Sequence, residues 1–252
     1  MVRRKLGQHF LVDHNVVQRE LHYATLSPRD CVLEIGAGHG ALTYALAQQA
    51  GSVIAVEIDP ILVLELQKNL PSNVQLIQND ILKLDLSTLP RFNKIVANLP
   101  FHISSPFTFK IIQYPFEKAI FIYQKDFARR MVAHPGTKEY SRLTVGIYYA
   151  CLCRILEVVP KRCFSPQPKV DCCIVELVPR QKPAFSLKNE AFFFELTRQL
   201  FSYRRKKIKT ILEQKYCFTP NVAFLDERVE NITPEQIAEL SDILWDVQFK
   251  NK

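Results

Sequence analysis

The sequence predicts an α/β fold: a doubly wound, mostly parallel sheet with an antiparallel hairpin at its edge, followed by a small all-helical C-terminal domain. Two observations carry that expectation. From Cys31 to about Val178 short apolar runs alternate with amphipathic stretches, the pattern of strands joined by crossover helices. Beyond Pro179 and Pro183 the strand-length runs stop and the apolar spacing becomes wholly helical. The expected division is residues 1–180 and 181–252.

Residues 31–35, 53–58, 74–77, 94–97 and 119–123 read as strands, each a short run rich in Val, Ile and other apolar residues. Residues 41–49, 60–69 and 106–112 are the helices expected between them. Two more strands are expected at 145–151 and 172–177. The segment before the second, 157–171, is rich in proline and holds no helix-length pattern, so these two should pair as an antiparallel edge hairpin. Helices at 190–201, 204–215 and 233–249 complete the chain, with Pro234 suited to a first turn.

At 252 residues the chain suits one large domain with a small appendage. Lys and Arg number 33 against 25 Asp and Glu, a net charge of +8, which favours a polyanionic partner. No apolar run approaches the roughly 20 residues that cross a bilayer. The basic opening Met1-Val2-Arg3-Arg4-Lys5 leads into Gly7-Gln8-His9, not an apolar core, so no secretory leader is expected. The seven cysteines form no CxxC pair, and five lie in strand-like stretches. They are expected to be reduced thiols of a cytoplasmic protein, with no metal site.

The chemistry concentrates where strands end. Val32-Leu33-Glu34-Ile35-Gly36-Ala37-Gly38-His39-Gly40 is a strand and a glycine-rich turn that lets backbone approach a ligand closely. Its spacing is G-x-G-x-G, not the G-x-G-x-x-G of dinucleotide binders, and no Lys or Arg stands beside it for a phosphate. Glu57, at the end of the next strand, is placed to accept both hydroxyls of a ribose. Asp80, after the third, is placed to meet an adenine amino group. An NAD-dependent dehydrogenase is the competing reading for such a turn.

Asn98-Leu99-Pro100-Phe101 follows the fourth strand. The Asn98 side chain and the Leu99 carbonyl offer two acceptors, Pro100 stiffens the turn, and Phe101 offers a flat face. Together they suit an exocyclic amine held between two acceptors with its ring stacked on an aromatic. Phe164, in Phe164-Ser165-Pro166-Gln167-Pro168-Lys169-Val170, is a candidate second aromatic wall; the alternative is a core position in a hairpin connection.

The order of glycine turn, Glu57, Asp80 and Asn98 resembles the motifs of class I S-adenosylmethionine-dependent methyltransferases. With Asn98-Leu99-Pro100-Phe101, Lys5-Leu6-Gly7-Gln8-His9-Phe10-Leu11 and the F-x-P-x-P-K-V loop in view, the chain resembles the KsgA-type ribosomal RNA adenine dimethyltransferases from Lys5 to about Lys209. The resemblance implies transfer of four methyl groups from S-adenosylmethionine to N6 of two adjacent adenosines near the 3′ end of small-subunit rRNA. It places cofactor contacts on His9, Leu11, Gly36, Glu57, Asp80 and Asn98, with Gly38, Ile58 and Ile81 beside them. It also implies a role in ribosome biogenesis, on an assembling subunit. Nothing in the sequence suggests an obligate oligomeric interface, and a monomer is expected. Two positions depart from the family's pattern: His9 stands where many members have Asn, and Phe101 where Tyr is commoner. Related macrolide-resistance enzymes modify large-subunit rRNA, but Gly7-Gln8-His9-Phe10 and Phe201-Ser202-Tyr203-Arg204-Arg205-Lys206-Lys207 favour the small-subunit enzymes. Residues 133–143 look most like archaeal or eukaryotic members.

Arg204, Arg205, Lys206, Lys207 and Lys209 form a dense basic run at the expected start of a helix. Cations there oppose the helix dipole, so helix stability does not explain them and phosphate binding does. Arg3, Arg4, Lys5, Lys125, Arg129 and Arg130 are candidates to extend that surface. A non-catalytic RNA-binding assembly or transcription factor, or a small-molecule methyltransferase, are the competing functions.

Overall fold

The computed structural model describes residues 8–249. The chain forms two compact units. One holds the described residues up to Ala128 together with Leu152–Pro179; the other holds Arg129–Cys151 together with the described residues from Arg180 onward.

The first unit opens with β1 (Phe10–Leu11) and α1 (His14–Ala24). The Asp13 carboxylate caps α1 by accepting from the Asn15 N–H at 2.9 Å. There follow β2 (Cys31–Ile35), α2 (Ala41–Ala47), β3 (Ser52–Glu57), α3 (Pro60–Leu66), β4 (Val74–Gln78), β5 (Lys94–Ala97), α4 (Ser104–Ile111), β6 (Lys118–Gln124) and α5 (Lys125–Met131). Asp59 caps α3 through the Ile61 N–H, and Pro60 takes its first position, where a missing N–H costs no hydrogen bond. After α6 (Arg142–Ala150) come β7 (Cys151–Val159), β8 (Phe164–Ser165) and β9 (Cys172–Pro179).

Seven strands make one sheet in the order β4-β3-β2-β5-β6-β9-β7. The pairs from β4 through β6 are parallel, and β9 runs antiparallel to β6, with Ile122 opposite Ile174. The chain winds outward from β2 to β4, then returns to β5 on the other side. Strand order therefore reverses between β2 and β5, where ligands bind in open α/β sheets. A separate two-stranded ladder pairs β1 with β8, Leu11 opposite Phe164. The buried Lys94 ammonium, 3.1 Å from the Asp30 carboxylate, also donates to the carbonyls of Ala24 and Thr25. It thereby fixes the end of α1 against β5.

The second unit has its own core, where Tyr140, Val145 and Tyr149 pack with Phe193, Leu196, Leu200, Ile211 and Leu240. Its helices are α6, α7 (Glu190–Phe201), α8 (Ile208–Tyr216) and α9 (Pro234–Phe249).

Three expectations are corrected. The strand expected at 145–151 is the helix α6, and the strand begins where it ends, at Cys151. Six of the nine α6 residues are buried, so the helix is apolar on nearly all sides, and such a run carries no period that separates it from a strand. In consequence Arg129–Cys151 belongs to the helical unit, and one cut at residue 180 does not separate the two. Finally, Arg204–Lys207 precede α8 instead of opening it: their backbone turns, and Lys207 bridges to Arg228.

Candidate active site

A cavity of about 550 Å³ lies over the carboxyl ends of β2, β3, β4 and β5. Gly36, directly after β2, has φ +77° and donates its N–H to the Val56 carbonyl at 2.8 Å. Gly38 has φ +59°, and a Cβ there would stand 3.1 Å from the Phe10 ring, so a side chain would strain both turn and neighbour. Its N–H donates to Glu57 Oε2 at 2.9 Å. Glu57 Oε1 accepts from the N–H groups of Ile58 and Asp59, each at 2.9 Å. Three backbone donors thus hold one buried carboxylate at the end of β3, leaving lone pairs for further donors from the cavity.

Asp80 follows β4 and accepts from the Leu82 N–H at 3.0 Å, which pins the turn and leaves its second oxygen unengaged by that bond. Ile81 is buried beside it, while Ile58 is about half exposed at the cavity rim. The lining carries the side chains of Glu34, Glu57 and Asp80 and, among the described residues, no lysine or arginine. That set fits S-adenosylmethionine: carboxylates suit ribose hydroxyls, an amine and a sulfonium charge, whereas a dinucleotide would leave its phosphates unpaired.

Asn98 stands after β5. Its Nδ2 donates to Glu20 Oε2 of α1 at 3.3 Å, while its Oδ1 is buried and has no hydrogen-bond partner among the described residues. The Pro100 carbonyl accepts from the Ile103 N–H at 3.0 Å, closing the turn that presents Phe101. Leu99 is buried and packs the turn down, so its side chain anchors the motif. Glu20 and Glu34 are both fully enclosed. Burial first, then repulsion from Glu34 and Glu157, outweighs the Asn98 hydrogen bond and pushes Glu20 up to about 8. Burial and the Glu57 carboxylate push Glu34 to about 8 as well.

His9, Leu11, Gly36, Gly38, Glu57, Ile58, Asp80, Ile81, Asn98, Leu99, Pro100 and Phe101 are brought together around this cavity. Phe164 is not. It is 3% exposed in the sheet's core, and its backbone pairs with Leu11 in the short ladder, so it forms no aromatic wall. The ring that stands over Phe101 is His9, with centroids 5.2 Å apart and planes 28° apart. The His9 Nδ1–H reaches the Pro166 carbonyl at 2.7 Å. Glu20 is the residue that sequence reasoning missed. Its signal was present: it stands in the apolar stripe Val16, Val17, Leu21, Ala24, where an unpaired carboxylate is costly.

The basic turn of the second unit divides in two. The Arg204 guanidinium lies 3.2 Å from Glu230 and donates to the Thr137 carbonyl at 2.8 Å, so it is a structural clamp. Lys207 pairs with Asp226 at 3.1 Å. Arg205 and Lys206 are exposed, the latter with its ammonium 5.1 Å from the Tyr203 ring centroid. Arg3, Arg4 and Lys5 lie outside the described residues.

A seven-stranded sheet with one late antiparallel strand, and an acid-lined cavity at its switch point, define a class I methyltransferase. The ribosomal RNA adenine dimethylase family model matches residues 1–246. A Methanosarcina acetivorans protein named "probable ribosomal RNA small subunit methyltransferase A" is 45% identical, over 96% of this chain and 94% of its own. One from Methanothermobacter thermautotrophicus with the same name is 40% identical, over 98% and 92%. Among solved structures, a dimethyladenosine transferase from Plasmodium falciparum superposes with a TM-score of 0.79 at 28% identity, covering 95% of this chain and 98% of its own. The 23S rRNA methyltransferase ErmE gives 0.69 at 29%, covering 93% and 99%. The chain belongs to the ribosomal RNA adenine dimethylase family.

Proposed function

We propose that the protein transfers methyl groups from S-adenosylmethionine to N6 of two adjacent adenosines near the 3′ end of small-subunit rRNA, acting on an assembling ribosomal subunit in the cytoplasm. The observation that carries this reading is the Asn98 Oδ1: a buried acceptor without a partner among the described residues, at the switch point, one turn from an aromatic face. S-adenosylmethionine supplies a methyl group on a positively charged sulfur, open to in-line displacement. Glu57 would accept from its ribose hydroxyls and Asp80 from its adenine amine, with Ile58 and Ile81 against the ring.

The N6 lone pair of adenine is delocalised into the ring and is a weak nucleophile. Asn98 Oδ1 and the Leu99 carbonyl, by accepting the two N6–H bonds, favour a more tetrahedral nitrogen with its lone pair aimed at the donor. Phe101 stacks on the base, which must leave its own stack to arrive. No strong base is needed, because the methylated nitrogen becomes acidic and sheds its proton.

The test is methyl incorporation from labelled S-adenosylmethionine into undermethylated small subunits, with the modified bases mapped. Label on two adjacent adenines is the expected result, and Asn98→Ala should remove it while S-adenosylmethionine still binds. Label elsewhere, or full turnover in Asn98→Ala, would overturn the reading. RNA binding without incorporation would favour a non-catalytic assembly factor.

A further inference from the structure

We propose that Glu20 is a positioning residue for the transfer: its carboxylate holds the Asn98 amide in the orientation that turns Oδ1, and not the NH2 group, toward the target nitrogen. This rests on Asn98 being the acceptor for the adenine amine. A side-chain amide is nearly symmetric in shape but has an acceptor on one side and donors on the other. Flipped, Asn98 would set its own N–H groups against those of the substrate. Something must choose between the two orientations. Asn98 Nδ2 donates to Glu20 Oε2 at 3.3 Å while Oδ1 points away, buried and unpartnered among the described residues.

Packing does not explain Glu20. It is fully enclosed on the inward stripe of α1 with Val16, Val17, Leu21 and Ala24, where a leucine would bury without a desolvation cost. Its other oxygen, Oε1, has no hydrogen bond either among the described residues. The contact with Asn98 is therefore the polar bond that the carboxyl makes.

Ionisation decides how strictly Glu20 selects. Facing it are Glu34 from β2 and Glu157 from β7; Glu157 is itself held by Arg19 at 2.7 Å and Tyr23 at 3.2 Å, both on α1. In that setting Glu20 titrates at about 8. As a carboxylate it only accepts, so Nδ2 must face it. As the neutral acid it carries an O–H that can donate to Oδ1 and stabilise the flipped amide. The productive orientation gains as pH rises through that value.

The experiment is single-turnover methylation of undermethylated small subunits at saturating S-adenosylmethionine, from about pH 6.5 to 9.5, with cofactor affinity measured separately. Wild type, Glu20→Gln, Glu20→Leu and Asn98→Ala are compared. The wild-type rate should rise several-fold across about pH 8. Glu20→Gln, which can accept or donate, should fold normally, run a few-fold slower at high pH and lose the rise. Glu20→Leu should lose about tenfold or more in rate with little change in KM for S-adenosylmethionine. A Glu20→Gln variant that keeps the wild-type pH rise, or a folded Glu20→Leu with the wild-type rate, overturns the role of Glu20 alone if Asn98→Ala is inactive. Full turnover in Asn98→Ala overturns both this inference and the reading of the site.

Discussion

The His9 imidazole lies stacked on the Phe101 ring, 5.2 Å between centroids, and its Nδ1–H donates to the Pro166 carbonyl at 2.7 Å. On the proposed reading, a base stacked on Phe101 shares that ring with the His9 imidazole. Phe101→Ala should lower kcat/KM for the RNA substrate by about tenfold or more, within the worth of a base–aromatic stack, and leave S-adenosylmethionine affinity unchanged. Phe101→Tyr keeps the face and should stay within a few-fold of wild type. Steady-state kinetics with each substrate varied in turn checks this; a cofactor defect in Phe101→Ala would contradict it.

Glu57 joins two jobs, because the bonds that hold the glycine turn end on the carboxylate that faces the cavity. Glu57→Ala leaves the N–H groups of Gly38, Ile58 and Asp59 without this acceptor, at a cost of about 1–3 kcal/mol for a buried unpaired donor. Both a lower Tm and a Kd for S-adenosylmethionine raised about tenfold or more are expected. Calorimetric binding and thermal melts on the same sample test the pair; normal affinity with a lowered Tm would leave Glu57 a purely structural role.

The basic turn should separate by mutation. Arg204 is engaged by Glu230 and Thr137, so Arg204→Ala should lower the Tm. Arg205 is exposed and, among the described residues, has no ion pair. Arg205→Glu should leave the Tm unchanged, weaken RNA binding and reduce the salt dependence of that binding by about one counterion. Affinity titrations at several salt concentrations distinguish the two, and an Arg205→Glu variant with unaltered slope would refute the assignment.

Glu20 also makes a prediction about stability. Its folded value of about 8 stands above its ordinary 4.5, so the native state holds a proton that the unfolded chain has released between those values. Stability is therefore highest at the acid end of that window, falls as pH rises through it, and levels off above about 8. Glu20→Gln removes this contribution. Its Tm should match wild type near pH 4.5 and exceed it by roughly 3 °C or more near pH 9. A difference that does not grow with pH would contradict the burial of a neutral acid.

Much of this was legible in the sequence, for reasons visible in particular residues. Strands such as 94–97 are short, wholly buried and followed by turn residues, and Glu57 and Asn98 stand at strand ends because the pattern of the strands dictates it. What was illegible depended on long-range company. Residues 145–151 look alike as strand or enclosed helix until Phe193 and Leu240 are known to surround them. Phe164 reads equally as wall or core until Leu11 pairs with it. Glu20 acquires meaning only because Asn98, far along the chain, arrives beside it.

The interrupted course of the chain has a consequence for biosynthesis. Arg129–Cys151 emerges from the translating ribosome before β7 and β9, yet its partners on α7, α8 and α9 follow only after the sheet is complete. Val145 and Tyr149 therefore lack their core partners for the seconds that synthesis of those helices takes. Val145 and Tyr149 close under Phe193, Leu196 and Leu240 only when the last helices have been made, so the helical unit is the later of the two to be completed.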